Sequence, residues 1–84
     1  MSYTHEVIKY ARELDEHLCV DRNDKLNLYT VFINKVLAKE DNSYMPVQIR
    51  GQGYTIEDAA YDFMRLARNR TLYHFISDKS IEVK

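Results

Sequence analysis

Two stretches of the chain repeat apolar residues at helical spacing, and shorter β-rich runs lie between and after them. In the first, Tyr3, Val7, Tyr10, Ala11, Leu14 and Leu18 share one stripe while Glu6, Lys9, Glu13 and Glu16 face away. This predicts a helix from about Thr4 to about Val20. Ile8, Arg12 and Cys19 lie on a flank outside the stripe. Asp21-Arg-Asn-Asp24 is a polar break. From Leu26 to Leu37 the chain carries Tyr29, Thr30, Val31, Phe32, Ile33 and Val36, residues that suit a pleated surface. Their weak alternation predicts burial on both faces for part of that length. Lys39-Glu-Asp-Asn-Ser43 has turn chemistry, and Tyr44 to Arg50 returns as a second strand. Pro46 has no N–H to donate, which places that strand at an edge or starts it beyond the proline. Gly51-Gln-Gly53 is expected to end it, with one glycine at a positive φ.

The second helical stretch follows Thr55, whose hydroxyl suits the N-cap. Asp58 stands at the capping-box position, though it is shorter than the usual Glu or Gln. Glu57 and Asp58 complement the positive end of the helix dipole, and Arg65, Arg68 and Arg70 the negative end. Ile56, Ala60, Phe63 and Ala67 form one face with Ala59 and Leu66 beside them, and the alanines would let the helix lie close on a sheet. Arg70 to Ser77 reads as a third strand through Leu72–Ile76, and Ile81-Glu-Val83 as a short last one. The order α-β-β-α-β(-β) predicts an α+β fold, a small antiparallel sheet packed by two helices on one face. Residues 1–84 are expected to form a single domain.

Composition narrows the function classes. At 84 residues with 45% hydrophobic and 30% charged residues, the chain resembles an ordinary globular domain. The net charge of −1 provides no general attraction for nucleic acid. The one cysteine, Cys19, leaves no internal disulfide and points to a reducing compartment. The N-terminus lacks the basic and apolar regions of a signal peptide, and no apolar run approaches membrane-spanning length. A cytoplasmic location follows as the expectation, with no membrane partner.

Few residues suggest chemistry. His5, His17, Cys19 and His74 are the soft or imidazole ligands, but no HxxxH or CxxC spacing joins them, so no metal site is expected. Gly51-x-Gly53 before a helix is a weak phosphate-turn signal, since Glu57 and Asp58 would oppose a phosphate there. The carboxylates fall on exposed helical positions or in turns, without a cleft to work in. No cofactor and no enzymatic activity are expected.

The outward stripe of the second helix carries the strongest surface signal. Glu57, Tyr61, Arg65 and Arg68 align, with Met64 at the edge. Tyrosine and arginine anchor protein interfaces more often than most residues. Tyr61, Arg65, Arg68 and Met64, with Tyr54 and Tyr44 on neighbouring loops, are therefore the candidate partner-binding residues; the plain alternative is a solvated face. Arg50, Arg65, Arg68 and Arg70 with Tyr54, Tyr61 and Tyr73 support a competing expectation, binding of RNA or single-stranded nucleic acid. Glu57, Asp58 and Asp62 interrupt that strip. A last strand with an open edge would also allow a homodimer.

The piece from Val47 to Phe63, a strand, a glycine turn and then Thr55-Ile-Glu-Asp-Ala59 opening a helix, resembles a pattern in HicB-type antitoxins. It also resembles small accessory proteins of bacteriophages that infect Gram-positive bacteria. The chain departs from the antitoxin pattern in opening with a long helix and in lacking a DNA-binding segment after the α/β part. What the resemblance implies is a small accessory protein that acts by binding, for example an inhibitor or modulator of a host or antiphage-defence protein in the host cytoplasm.

Overall fold

The computed structural model describes residues 2–39 and 46–84. The first helix, α1 (Tyr3–Glu13), starts after Ser2, which is extended and accepts a hydrogen bond from the His5 N–H. It ends well short of Val20. The Asp15 N–H donates to the Arg12 carbonyl at 3.0 Å and the Glu16 N–H to the Ala11 carbonyl at 2.8 Å, with Asp15 left-handed at φ 58°. This reciprocal pair is a common way for a helix to stop, usually announced by glycine. Here an aspartate holds the left-handed position, which Asp and Asn tolerate better than most residues, so the apolar stripe overran the true end. Leu18, Cys19 and Val20 enter a strand instead.

That strand, β1 (Leu18–Asn23), pairs antiparallel with β2 (Leu28–Ile33), from Leu18 opposite Ile33 to Asn23 opposite Leu28. Most of the expected polar break is therefore strand, tolerated because the outer half of β1 is exposed at a sheet edge. The reversal is set by Asn23, whose side-chain oxygen accepts from the Lys25 and Leu26 N–H groups. The run from Leu26 to Leu37 is likewise two strands. Lys35, at φ 59°, turns the chain from β2 into β3 (Val36–Lys39), which belongs to a different sheet. This change of sheet explains the weak alternation: Val31, Ile33, Val36 and Ala38 are all buried.

The strand expected over Tyr44–Arg50 is, among the described residues, a single bridge in which Val47 and Ala38 exchange hydrogen bonds of 2.7 and 3.0 Å. Tyr44 and most of the Lys39–Ser43 turn lie outside the described residues. The glycines themselves form β4 (Gly51–Gly53), with Gly51 opposite Val31 and Gly53 opposite Tyr29. Then come α2 (Ile56–Ala67), β5 (Thr71–His74) and β6 (Ser80–Glu82). The fold is α+β with antiparallel strands, as the patterning indicates. Its strands form two three-stranded sheets, β1-β2-β4 and β3-β5-β6, where a single sheet was expected. One buried cluster joins them: Val7 and Leu14 from α1, Ile33 from β2, Phe63 from α2, Leu72 from β5 and Val83 beyond β6. Among the described residues no helix is long and apolar enough to cross a membrane.

Neither glycine adopts a positive φ. Their role is proximity. A Cβ on Gly51 would stand 2.2 Å from the Ala59 carbonyl oxygen and 2.3 Å from the Phe63 backbone nitrogen, and one on Gly53 would stand 2.7 Å from the Ala59 nitrogen. Helix backbone thus rests directly on strand backbone, with Ala59 and Ala60 fully buried at the contact. Thr55 caps α2 as expected, accepting from the Asp58 N–H at 3.0 Å. Replacing Gly51 by Ala forces α2 off β4, because backbone cannot yield as a flexible side chain would. Overpacking of this kind costs about 3 kcal/mol or more, which lowers the melting temperature of so small a domain by about 12 °C at least. Thermal denaturation of Gly51→Ala followed by circular dichroism checks this, and an unchanged midpoint would refute the close contact.

Candidate functional site

The α2 stripe divides in the structure into an exposed part, a buried part and a part bonded to α1. Phe63 is 2% exposed and Tyr61 49%, so the helix has the rotation that its sequence predicts. At its margins the expectation fails. Met64 is buried at 6%, while Ile56, expected inside, is 40% exposed at the open end of the helix. The reason is α1, which packs along α2 and covers the Met64 side. Met64 is thereby removed from the accessible surface.

Glu57 is the hinge of that packing. One of its carboxylate oxygens accepts from Ser2 Oγ at 2.9 Å, from the Thr4 N–H at 2.9 Å and from Thr4 Oγ1 at 2.7 Å. The other accepts from the Tyr3 N–H at 2.9 Å. A residue in the first turn of α2 therefore satisfies the amides at the start of α1, and its charge sits at the positive ends of both helices. The hydrogen bonds from Thr4, side chain first and then backbone, with the Tyr3 amide after them, hold the Glu57 carboxyl down at about 2. The outward ladder Glu57–Tyr61–Arg65 suggested by the spacing does not form, because Glu57 turns to α1.

The exposed part is better ordered than a plain solvated face. Tyr61 lies against Tyr3 with ring centroids 4.9 Å apart and planes tilted by 57°, a favourable arrangement for two rings. Arg65 donates through Nε at 3.1 Å and Nη2 at 2.7 Å to one oxygen of Asp62. The other Asp62 oxygen accepts from the Gln52 N–H at 2.9 Å. The Arg65 guanidinium is in this way tied through Asp62 to the β4 edge. Arg68 is exposed, as is Tyr54 at 70% on the approach to the Thr55 cap. Tyr44 lies outside the described residues. The structure thus groups Tyr61, Arg65 and Arg68 on one exposed helix side and adds Tyr3, which sequence reading assigned to the buried stripe of α1.

A cleft of about 690 Å³ continues this face between the helices. Met64 and Tyr10 are its less exposed lining, and His5, Lys9, Arg68 and Lys84 its exposed cationic and imidazole members. Only the packing of α1 on α2 brings Lys9 and Arg68 to one place, and no spacing within the chain signals it.

Of the remaining candidates, His74 is occupied structurally. His74 bonds through both ring nitrogens. Nε2 lies 2.7 Å from Glu16 Oε1, and Nδ1 accepts from the Ile76 and Ser77 N–H groups at 3.3 and 3.1 Å. With Nδ1 accepting, the proton belongs on Nε2, directed at Glu16. That hydrogen bond is the main cause holding the Glu16 carboxyl below its ordinary range. Asp15 and Lys79 form an ion pair beside it, so the end of α1 is fastened to the β5–β6 turn. Among the described residues no three His, Cys, Asp or Glu side chains gather as metal ligands.

Set against known proteins, the chain matches no protein-family model, no curated protein and no solved structure.

Glu57 makes acid sensitivity predictable in sign. Its folded value is depressed, so its stabilisation is complete above the ordinary carboxylate value of 4.5 and is lost as pH falls towards about 2. Urea denaturation across that window should show the wild type losing its advantage over Glu57→Gln as acid is added. A difference that stays constant from pH 6 to pH 2 would remove the carboxylate from this role.

Proposed function

We propose that the chain is a non-enzymatic protein-binding module whose contact surface is the exposed side of the α1–α2 pair. The observation that carries this reading is the Tyr3–Tyr61 ring pair beside an Arg65 whose guanidinium is already held by Asp62. Binding is penalised by the ordering of long side chains. Aromatic and guanidinium groups that are fixed before the partner arrives avoid much of that penalty, and these residue types dominate the energetics of interfaces. Tyr61, Arg65 and Arg68 are the central contacts, with Tyr3 beside them and Tyr54 at the margin.

The resemblance of Val47–Phe63 to phage accessory proteins directs the choice of partner. A bacterial host enzyme or an antiphage-defence component, inhibited or modulated in the host cytoplasm, is the class it favours. The open edge of β6 is the strand through which a second copy would pair.

Binding of single-stranded nucleic acid is the weaker reading. It draws on Arg50, Arg65, Arg68 and Arg70 as phosphate contacts, and Arg50 and Arg65 are engaged elsewhere. Arg50 lies over the Phe32 ring at 4.6 Å and 4.0 Å from Asp21, and Arg65 is paired with Asp62.

Affinity capture from a bacterial lysate, with wild type and Tyr61→Ala/Arg65→Glu as baits, tests the proposal. The wild type should recover a defined partner, and the double variant should bind it at least about 30-fold more weakly, as the loss of one interface anchor predicts. Equal recovery by the two baits, or a mobility shift of a generic oligonucleotide at low salt in place of any protein partner, would overturn it.

A further inference from the structure

The cleft between α1 and α2 holds three cations that have no ion-pair partner among the described residues. Arg22, Arg50, Arg65 and Lys79 each have a carboxylate partner. Among the described residues Lys9, Arg68 and Lys84 have neither an ion pair nor a side-chain hydrogen bond; Arg12, Lys25 and Lys39 share that state elsewhere, but these three line one cleft. Glu6 supplies the one side-chain carboxylate among its lining residues. A shallower hollow shares His5 and Lys9 with it and extends the cationic surface along α1 to Ile8 and Arg12. A protein with a net charge of −1 thus places three unpaired cations around one cleft. Like charges brought together repel, so the arrangement is relieved when a complementary group enters.

The lining decides which anion fits. Tyr3 and Tyr10 add apolar surface beside the cations, so the ligand should carry an apolar group as well as negative charge. A phosphate is best held by backbone amides at a helix start. Those of α1 are already taken: the Tyr3 and Thr4 amides donate to Glu57, the His5 amide to Ser2 Oγ and the Glu6 amide to the Ser2 carbonyl. What is left is a set of separated point charges around an aromatic lining. That suits several carboxylates spread along a peptide better than one compact phosphate.

We infer that the α1–α2 cleft receives an acidic segment of a protein partner, Lys9, Arg68 and Lys84 meeting its carboxylates and the Tyr3–Tyr10 lining receiving an apolar side chain. The inference rests on the protein-binding reading of the adjoining face and names the chemistry of the partner there. Arg68 belongs to both surfaces, so the segment runs from the cleft onto the Tyr3–Tyr61 pair. Binding through exposed charges is screened by salt, so the interaction weakens as ionic strength rises.

Selection of a random twelve-residue peptide library on the full chain tests this, with Lys9→Glu/Arg68→Glu as the counter-target. Both substitutions are at exposed positions, and matching thermal melts of the two proteins establish that the variant is folded. Recovered peptides should combine several Asp or Glu residues with an apolar residue. Their affinity, read by fluorescence anisotropy, should fall at least about tenfold in the double variant and again between 50 and 500 mM salt. No enrichment, peptides without acidic residues, or affinities indifferent to the charge reversal would overturn the inference. So would tighter binding of a twelve-nucleotide oligothymidylate than of any recovered peptide, if the same variant abolished it. Should these tests fail while Tyr61→Ala/Arg65→Glu still abolishes partner capture, the acidic-segment inference alone falls.

Discussion

The contact of α2 with β4 is the constraint on which the rest of the structure depends. At Gly51 the helix and strand backbones are so close that even a methyl group would collide with the Ala59 carbonyl. Close packing of this kind removes nearly all freedom in how the helix sits, since a shift of any size either opens a gap or creates a clash. With β4 held to β2 by its ladder, the position and rotation of α2 are set relative to the first sheet. Phe63 and Ala67 then enter the shared core, and Tyr61 and Arg65 are turned outward.

α1 is located by a different interaction. Its start is tied to α2 through Glu57, a charged hydrogen-bond acceptor at two helix starts, and its end to the β5–β6 turn through Glu16–His74 and Asp15–Lys79. A helix of eleven residues has little stability alone. Fastening both ends, together with burial of Val7, Ala11 and Leu14, accounts for its definite placement. The second sheet is thereby connected to the helices through polar contacts as well as through the common core.

The functional reading follows from that placement. An outward stripe on α2 would be of little interest if its side chains were all mobile. The packing of α1 instead gives Tyr61 a ring to lean on, and the bond of Asp62 to β4 gives Arg65 a fixed direction. The same packing creates the cleft in which Lys9 and Arg68 meet. The proposed surface is therefore a property of two helices together.

Local pattern determined much of this protein. The existence and facing of α2, its Thr55 cap, the antiparallel α+β class and the exposed position of Tyr61 all follow from periodicity and end chemistry, which act over a few residues. Other features were decided only by tertiary contacts. α1 stops at Glu13, where Asp15 and Glu16 are held by Lys79 and His74 and no glycine gives warning, and the strand-like run divides at Lys35 because its halves serve different sheets. The two glycines serve a helix lying on them and not a positive φ; Met64 is covered and Glu57 is recruited because α1 arrives from a distant part of the sequence. Spacing along one helix tells which side chains share a face, but what covers that face depends on a second element whose approach no local pattern encodes.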